Sequence, residues 1–226
     1  SEADNQVNNN PNNGGDKTVP KAQDGVDDGN SKSSSESSSE SADVGVAAAV
    51  GVNYSVLDNL AEVGSGVALV STGGAVRVSA IAELDMTTLA TGQATDLQTE
   101  TNIGAAVGVT VGDVENRART GTNARLQGSN VTVEARQPDA ARSEFKTWSL
   151  AAGAGSDNGF AGSVSVNRVS YVSEAAVGAG SVLVASGNVN VVASTDIGLQ
   201  TLAGGAGFGE DAGVGVGVSV AIVNPT

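Results

Sequence analysis

Residues 161–193 read AGSVSVNRVSYVSEAAVGAGSVLVASGNVNVVA, and two other stretches of the chain repeat this layout while a fourth begins to. A valine opens a Val-x-Val core at Val50 (AAAVGVNYSV), Val107 (GAAVGVTVGD), Val164 (AGSVSVNRVS) and Val218 (GVGVSVAIVN), at spacings of 57, 57 and 54 residues. A second landmark, a turn residue followed by Val-x-Val, falls at Val76, Val131 and Val189, spaced 55 and 58. Two independent landmarks on one period define a repeat of about 57 residues. Fixed periods above about 20 residues mark solenoids, propellers and arrays, whose units bury their apolar faces against their neighbours.

The alternation within each unit decides what is stacked. Val-Gly-Val-Asn, Val-Ser-Val-Asn, Val-Thr-Val-Glu and Val-Asn-Val-Val send valines to one side and small or polar residues to the other, the pattern of a half-buried strand. Valine and isoleucine suit a pleated surface. Glycine, 31 of 226 residues, sits inside the apolar runs, where each would cost a helix roughly 1 kcal/mol. Further strand-like runs lie between the landmarks: Val67 to Val70, Ala124 to Leu126 and Val182 to Val184. More polar alternating runs follow the second landmark: Leu97-Gln98-Thr99, Phe145-Lys146-Thr147-Trp148 and Leu199-Gln200-Thr201. Residues 82–93 (AELDMTTLATGQ) would pass alone for a short helix, but the matching places in later units do not, so strand or loop is expected there. With aromatics at 3%, the interior is expected to be Val, Ala, Leu and Ile, valine stacked on valine in register at about 4.8 Å.

Composition removes whole classes of chemistry. The chain has no Cys and no His, which excludes disulfide frameworks, thiol catalysis, ordinary zinc sites and every His-based triad. A net charge of −14 argues against nucleic acid, whose phosphates require a basic surface. No apolar run approaches the length of a transmembrane helix. The chain starts with Ser1, shows no signal peptide and ends at Thr226 inside a fourth unit, which reads as a fragment of a longer protein.

In chain order, residues 1–43 form a separate class, dominated by Asn, Ser, Gly and Asp, with nine acids against three lysines. Such a stretch cannot bury enough apolar area to offset its ordering entropy and is expected to be a disordered acidic linker or loop insertion. The repeats then fill 44–226, in units of about 44–101, 102–158, 159–211 and a partial 212–226. Successive units are joined by short polar tips, GSDNG at 155–159 and GEDAG at 209–213. The second unit is the most charged: Arg117, Arg119, Arg125, Arg136 and Arg142 accompany Glu115, Glu134 and Glu144. On outward positions these read as solvated cross-strand pairs, with a patch for acidic glycans as the alternative.

No catalytic or cofactor-binding residues are assigned. The carboxylate pairs Asp27-Asp28 and Glu210-Asp211 have no aromatic platform beside them to hold a sugar ring, so a glycosidase or lyase reading is weak. Residues 204–215 (GGAGFGEDAGVG) match the calcium-binding nonapeptide of β-rolls once and imperfectly, which leaves Asp157, Glu210 and Asp211 as calcium candidates, with a plain polar turn as the alternative.

AAAVGVNYSV, AGSVSVNRVSYVSEAAVGAGSVLVASGNVNVVAS and GVGVGVSVAIVN resemble the repeats of very large bacterial surface proteins, the filamentous, hemagglutinin-like or leukotoxin-like adhesins, often exported by type V systems. The resemblance spans residues 44–226 and rests on repeat style. It implies an all-β chain, a right-handed parallel β-helix, extracellular or cell-surface location, and attachment to a host or neighbouring-cell glycan or protein, or service as a rigid stalk whose units stack on adjacent repeats. AAVGAGSVLVASGN also resembles the heads of trimeric autotransporter adhesins, whose repeat is much shorter than the spacing here.

Overall fold

The structure, a computed structural model, describes residues 30–37 and 44–225. Strand β1 (Asn30–Ser37) precedes three sets of four. The first set is β2 (Val44–Val63), β3 (Ala68–Val70), β4 (Val76–Ile81) and β5 (Met86–Thr95). The second is β6 (Thr101–Thr120), β7 (Arg125–Gly128), β8 (Val131–Arg136) and β9 (Ser143–Ala154). The third is β10 (Asn158–Val177), β11 (Val182–Ala185), β12 (Val189–Ala193) and β13 (Ile197–Phe208), after which β14 (Ala212–Pro225) begins again. No helix occurs among the described residues, and 82–93 is a loop followed by strand.

Each strand pairs only with its counterpart in the next set, and every pairing is parallel. Four sheets result: the long strands in the order β14-β10-β6-β2, then β11-β7-β3, β12-β8-β4 and β1-β5-β9-β13. The register reproduces both sequence landmarks. Val50, Val107, Val164 and Val218 stand in one column of the long sheet, and Val76, Val131 and Val189 in another. The third run differs in the first unit: Phe145 pairs with Met86, and Leu97 lies in the tip after β5. All-β and parallel-stacked, the fold is compatible with a β-solenoid.

Two expectations need correction. Within 1–43, residues Asn30–Ser37 form β1, aligned on β5 with Asn30 beside Thr87, so the octet occupies the place of a fourth strand in a preceding set. Parallel pairing draws on backbone groups alone, so a Ser-rich segment qualifies. The rest of 1–43 lies outside the described residues. The second correction concerns which side of the long strands faces inward. Val50 and Val52 are 61% and 59% exposed, whereas Ala47, Ala49 and Gly51 between and beside them are buried. The same phase runs through β6 and β10, whose inward residues include Gly104, Ala106, Gly108, Ala161, Ser163 and Ser165.

Close approach of two sheets explains the inversion. The first half of each long strand lies face to face with the second half of a strand in the β5 sheet, around Ala49, Ala90, Ala106, Ala151 and Ala161. A Cβ on Gly92 would overlap the carbonyl of Ala105, and one on Gly104 the carbonyl of Ala152. No methyl fits between the backbones there, so only the smallest residues point in. Farther along the long strands the sheets separate and larger side chains fill the gap. Met86, Val114, Phe145, Val169 and Tyr171 form one cluster, and Leu126, Val131, Val133, Val63 and Val78 another. At the second landmark, therefore, valine does stack on valine inside. The long strands end in a turn needing left-handed backbone, supplied by Gly66, Asn123 and Gly180 at equivalent positions.

Candidate functional site

Charged side chains are distributed over three outward surfaces. On the β12-β8-β4 sheet, Glu134 is almost covered. Arg77 donates from Nε to its Oε1 at 2.6 Å, Ser79 Oγ donates to the same oxygen at 2.6 Å, and Arg136 Nε stands 3.4 Å away. Burial pushes the Glu134 carboxyl up, but the hydrogen bonds from Ser79 and Arg77 and the neighbouring positive charge outweigh it and hold the group below the usual Glu range. Arg136 also donates to Asp139 Oδ1 at 2.8 Å. On the second half of the long sheet, Arg119 pairs with Glu62 at 3.0 Å, and Arg117 bridges Glu115 and Glu174. Glu62 and Arg119 are direct cross-strand partners in the ladder.

The third surface is a shallow depression on the β9-β13 sheet, lined by Arg142, Glu144, Lys146, Gly198, Leu199 and Gln200. Arg142 lies over Gly198, donates to the Ile197 carbonyl at 3.2 Å and pairs with Asp196 at 3.6 Å. Lys146 pairs with Glu144, and that hydrogen bond with its positive charge holds the Glu144 carboxyl below its ordinary value. The arginines singled out in the sequence are thus engaged. Arg117, Arg119, Arg136 and Arg142 have carboxylate partners, and Arg125 donates to Gln127 at 2.8 Å. An anionic glycan would have to displace carboxylates already in place.

The calcium candidates lie at the stacked tips. Asp157 N–H donates to the Glu100 carbonyl at 3.1 Å, Asp211 N–H to the Asp157 carbonyl at 2.8 Å, and Glu210 N–H to the Ser156 carbonyl at 3.0 Å. Backbone bonding therefore aligns Glu100, Asp157 and Asp211, each just before a long strand. Among the described residues, no group of three or more acids is arranged to hold a metal ion. Asp27 and Asp28 lie outside the described residues.

Buried polar side chains tie the units together. Thr110 Oγ1 meets Thr88 Oγ1 at 2.7 Å and Thr147 Oγ1 at 2.6 Å. Asn59 donates to Asn116 Oδ1 at 2.9 Å, and Asn116 donates onward to the Ala80 and Arg136 carbonyls. Gln137 donates to Ser143 Oγ at 2.9 Å and the Asp196 carbonyl at 2.8 Å. Tyr171, whose phenol burial pushes up, donates to the Ala82 carbonyl at 3.3 Å. These groups hold backbone corners.

A further surface feature is the one expected inside from the sequence. The outward face of the first half of the long sheet carries valine columns through all its strands, broken by one charge, Arg168. A signal for it was present in the repeat. Between the valines, the columns starting at Ala47, Ala49 and Gly51 never exceed Ser in size in any unit, as a tight interface demands. Compared with protein-family models, with curated proteins and with solved structures, the chain matches none.

Proposed function

We propose that this chain is a non-enzymatic structural and adhesive repeat segment of a large secreted or cell-surface bacterial protein. In this reading it is a right-handed parallel β-helix serving as a rigid stalk or attachment surface. The observation that carries the reading is the shared register: all four sheets advance together by about one 57-residue unit. Among the described residues, the strands β2 and β14 at the ends of the long sheet have unpaired outer edges, on which further units can stack. Each unit contacts only its neighbours, so a stack is lengthened without redesign of its core. The engaged arginines favour a plain outer wall over a glycan-cleaving groove.

Tandem copies of residues 44–211 test the proposal. Each added copy should lengthen the particle by three rungs, roughly 14 Å, at constant cross-section in small-angle scattering. Beads coated with the same proteins should be retained on host-cell or bacterial layers above an albumin control. Separate beads on a string in scattering would sink the stalk reading, and release of sugar from a polysaccharide would sink the non-enzymatic one.

A further inference from the structure

Among the described residues, nothing covers the outward face of the first half of the long sheet, an apolar field. Five columns, starting at Val46, Ala48, Val50, Val52 and Tyr54 of β2, cross four strands and give twenty positions. Eighteen are apolar, one is Gly162 and one is Arg168. Each outward residue covers two residues of strand by one strand spacing, about 32 Å², so the field measures roughly 600 Å² flat. Apolar patches of that size and above mark interaction sites.

The residues before β1 lack the side chains such a cover would need. Residues 1–29 contain no Leu, Ile, Met or aromatic residue and carry an acidic excess. Further units stacked on β2 or β14 would enlarge the face, since they add strands beside it and not on top of it. A lipid surface fits poorly: the tip at the end of the field carries Glu100, Asp157, Glu210 and Asp211, and Asp113 stands at its other border.

We propose that the field is the interface of a face-to-face homodimer, in which a second copy of this chain packs its long sheet on the first. Two such faces remove about 1,200 Å² counted flat, and more when the relief of the side chains is included, which reaches the size of specific protein interfaces. A two-fold axis along the strands, midway between β6 and β10, keeps the columns superposed. β6 then lies over the partner's β10, and β2 over its β14. This isologous arrangement closes on itself and does not propagate.

Charge complementarity selects that axis. Arg168 and Asp113 are both outward, and neither has an ion-pair partner among the described residues. Within one chain Arg168 is level with Val111 and stands diagonal to Asp113 on the neighbouring strand, without an ion pair between them. Across the proposed axis Arg168 comes over the partner's Val111, one column from the partner's Asp113, and the symmetry makes the pair twice. The only charge in the field thereby meets a carboxylate at its border.

Sedimentation velocity of the whole chain at roughly 1–100 µM reads the outcome. The expected result is a dimer. Val109→Arg, at the centre of the field, should weaken it at least about tenfold with an unchanged circular-dichroism melt. Arg168→Asp should weaken it also, and adding Asp113→Arg should restore it. A second route does not depend on those variants. The chain has no Cys, and Val50 and Val218 stand three strand spacings apart, about 14 Å, too far for a disulfide or a short cross-link within one copy. Val50→Cys with Val218→Cys should give a covalent dimer with a bifunctional maleimide that spans about 8 Å between thiols, because facing sheets stand about 10 Å apart. A monomer throughout the range, a dimer indifferent to Val109→Arg, open-ended fibres, or a monomer that floats with phosphatidylcholine vesicles would each overturn the proposal.

Discussion

At the scale of single residues, Glu134 shows how a charge becomes structural. Its outward position would ordinarily be wet, but Arg77 from the preceding unit and Arg136 beside it close over it, and Ser79 completes the shell. Removing one member of a covered, hydrogen-bonded charge cluster costs more than the cluster adds, because the remaining groups lose their partner. Glu134→Gln should therefore destabilise by about 2 kcal/mol near neutral pH, read as a lower urea midpoint. The pH dependence has a definite sign. The folded pKa lies below the unfolded one, so the stabilisation is present above the ordinary Glu range and is lost as pH falls through the folded value. The midpoints of the wild type and Glu134→Gln should draw together as pH falls below the ordinary Glu range. Midpoints that stay equally separated down to pH 3 would show that the loss comes from packing and not from charge. The acid and the arginines of its own unit were legible in the order of residues. Arg77 stands 57 residues from Glu134, and only the stacking register brings the two together.

At the scale of the strand, glycine is placed by crowding and not by turns. Gly92 lies inside β5 with the Ala105 carbonyl where its Cβ would be, and Gly162 lies on the open face of β10 with nothing within 4 Å. Gly92→Ala should thus cost about 3 kcal/mol and lower the melting temperature by roughly 10 °C, while Gly162→Ala should be neutral or slightly favourable. Thermal melts of the pair decide: equal effects would mean that the sheets separate readily enough to admit a methyl. The same contrast explains what could be read beforehand and what could not. Strand identity followed from the alternation of Val-x-Val, and strand pairing from the spacing of the landmarks. The inward phase did not, because hydrophobicity points valine inward and a period of two has two solutions of equal regularity. Where the sheets stand apart, around Val131 and Val133, hydrophobicity chose correctly. Where they touch, around Gly92 and Gly104, volume overrode it. The distance between sheets is a property of the folded stack and appears in the sequence only as columns of uniformly small residues.

At the scale of the molecule, the repeat behaves as a modulus. Because Val107 is level with Val164, removing residues 107–163 joins Ala106 to Val164 in phase and leaves a hybrid long strand. The rest of the shortened chain has partners ready. β3 meets β11, β4 meets β12 and β5 meets β13 along registers that β7, β8 and β9 already relay. This protein should keep its β-type circular-dichroism spectrum and melt cooperatively at a lower temperature, as expected when one nearest-neighbour interface is subtracted from a linear stack. Removing one residue fewer, 107–162, joins Ala106 to Ser163 and reverses every later side chain of the strand. Val164 and Arg168 would then point into the space that now holds Ser165 and Val169, and Tyr171 would point out. That version should lose its cooperative melt, since an unpaired guanidinium inside the stack costs several kcal/mol. Comparable melts for the two deletions would mean that the strand absorbs the slip in a bulge, and that the phase of the long sheet is held less firmly than its packed glycines require.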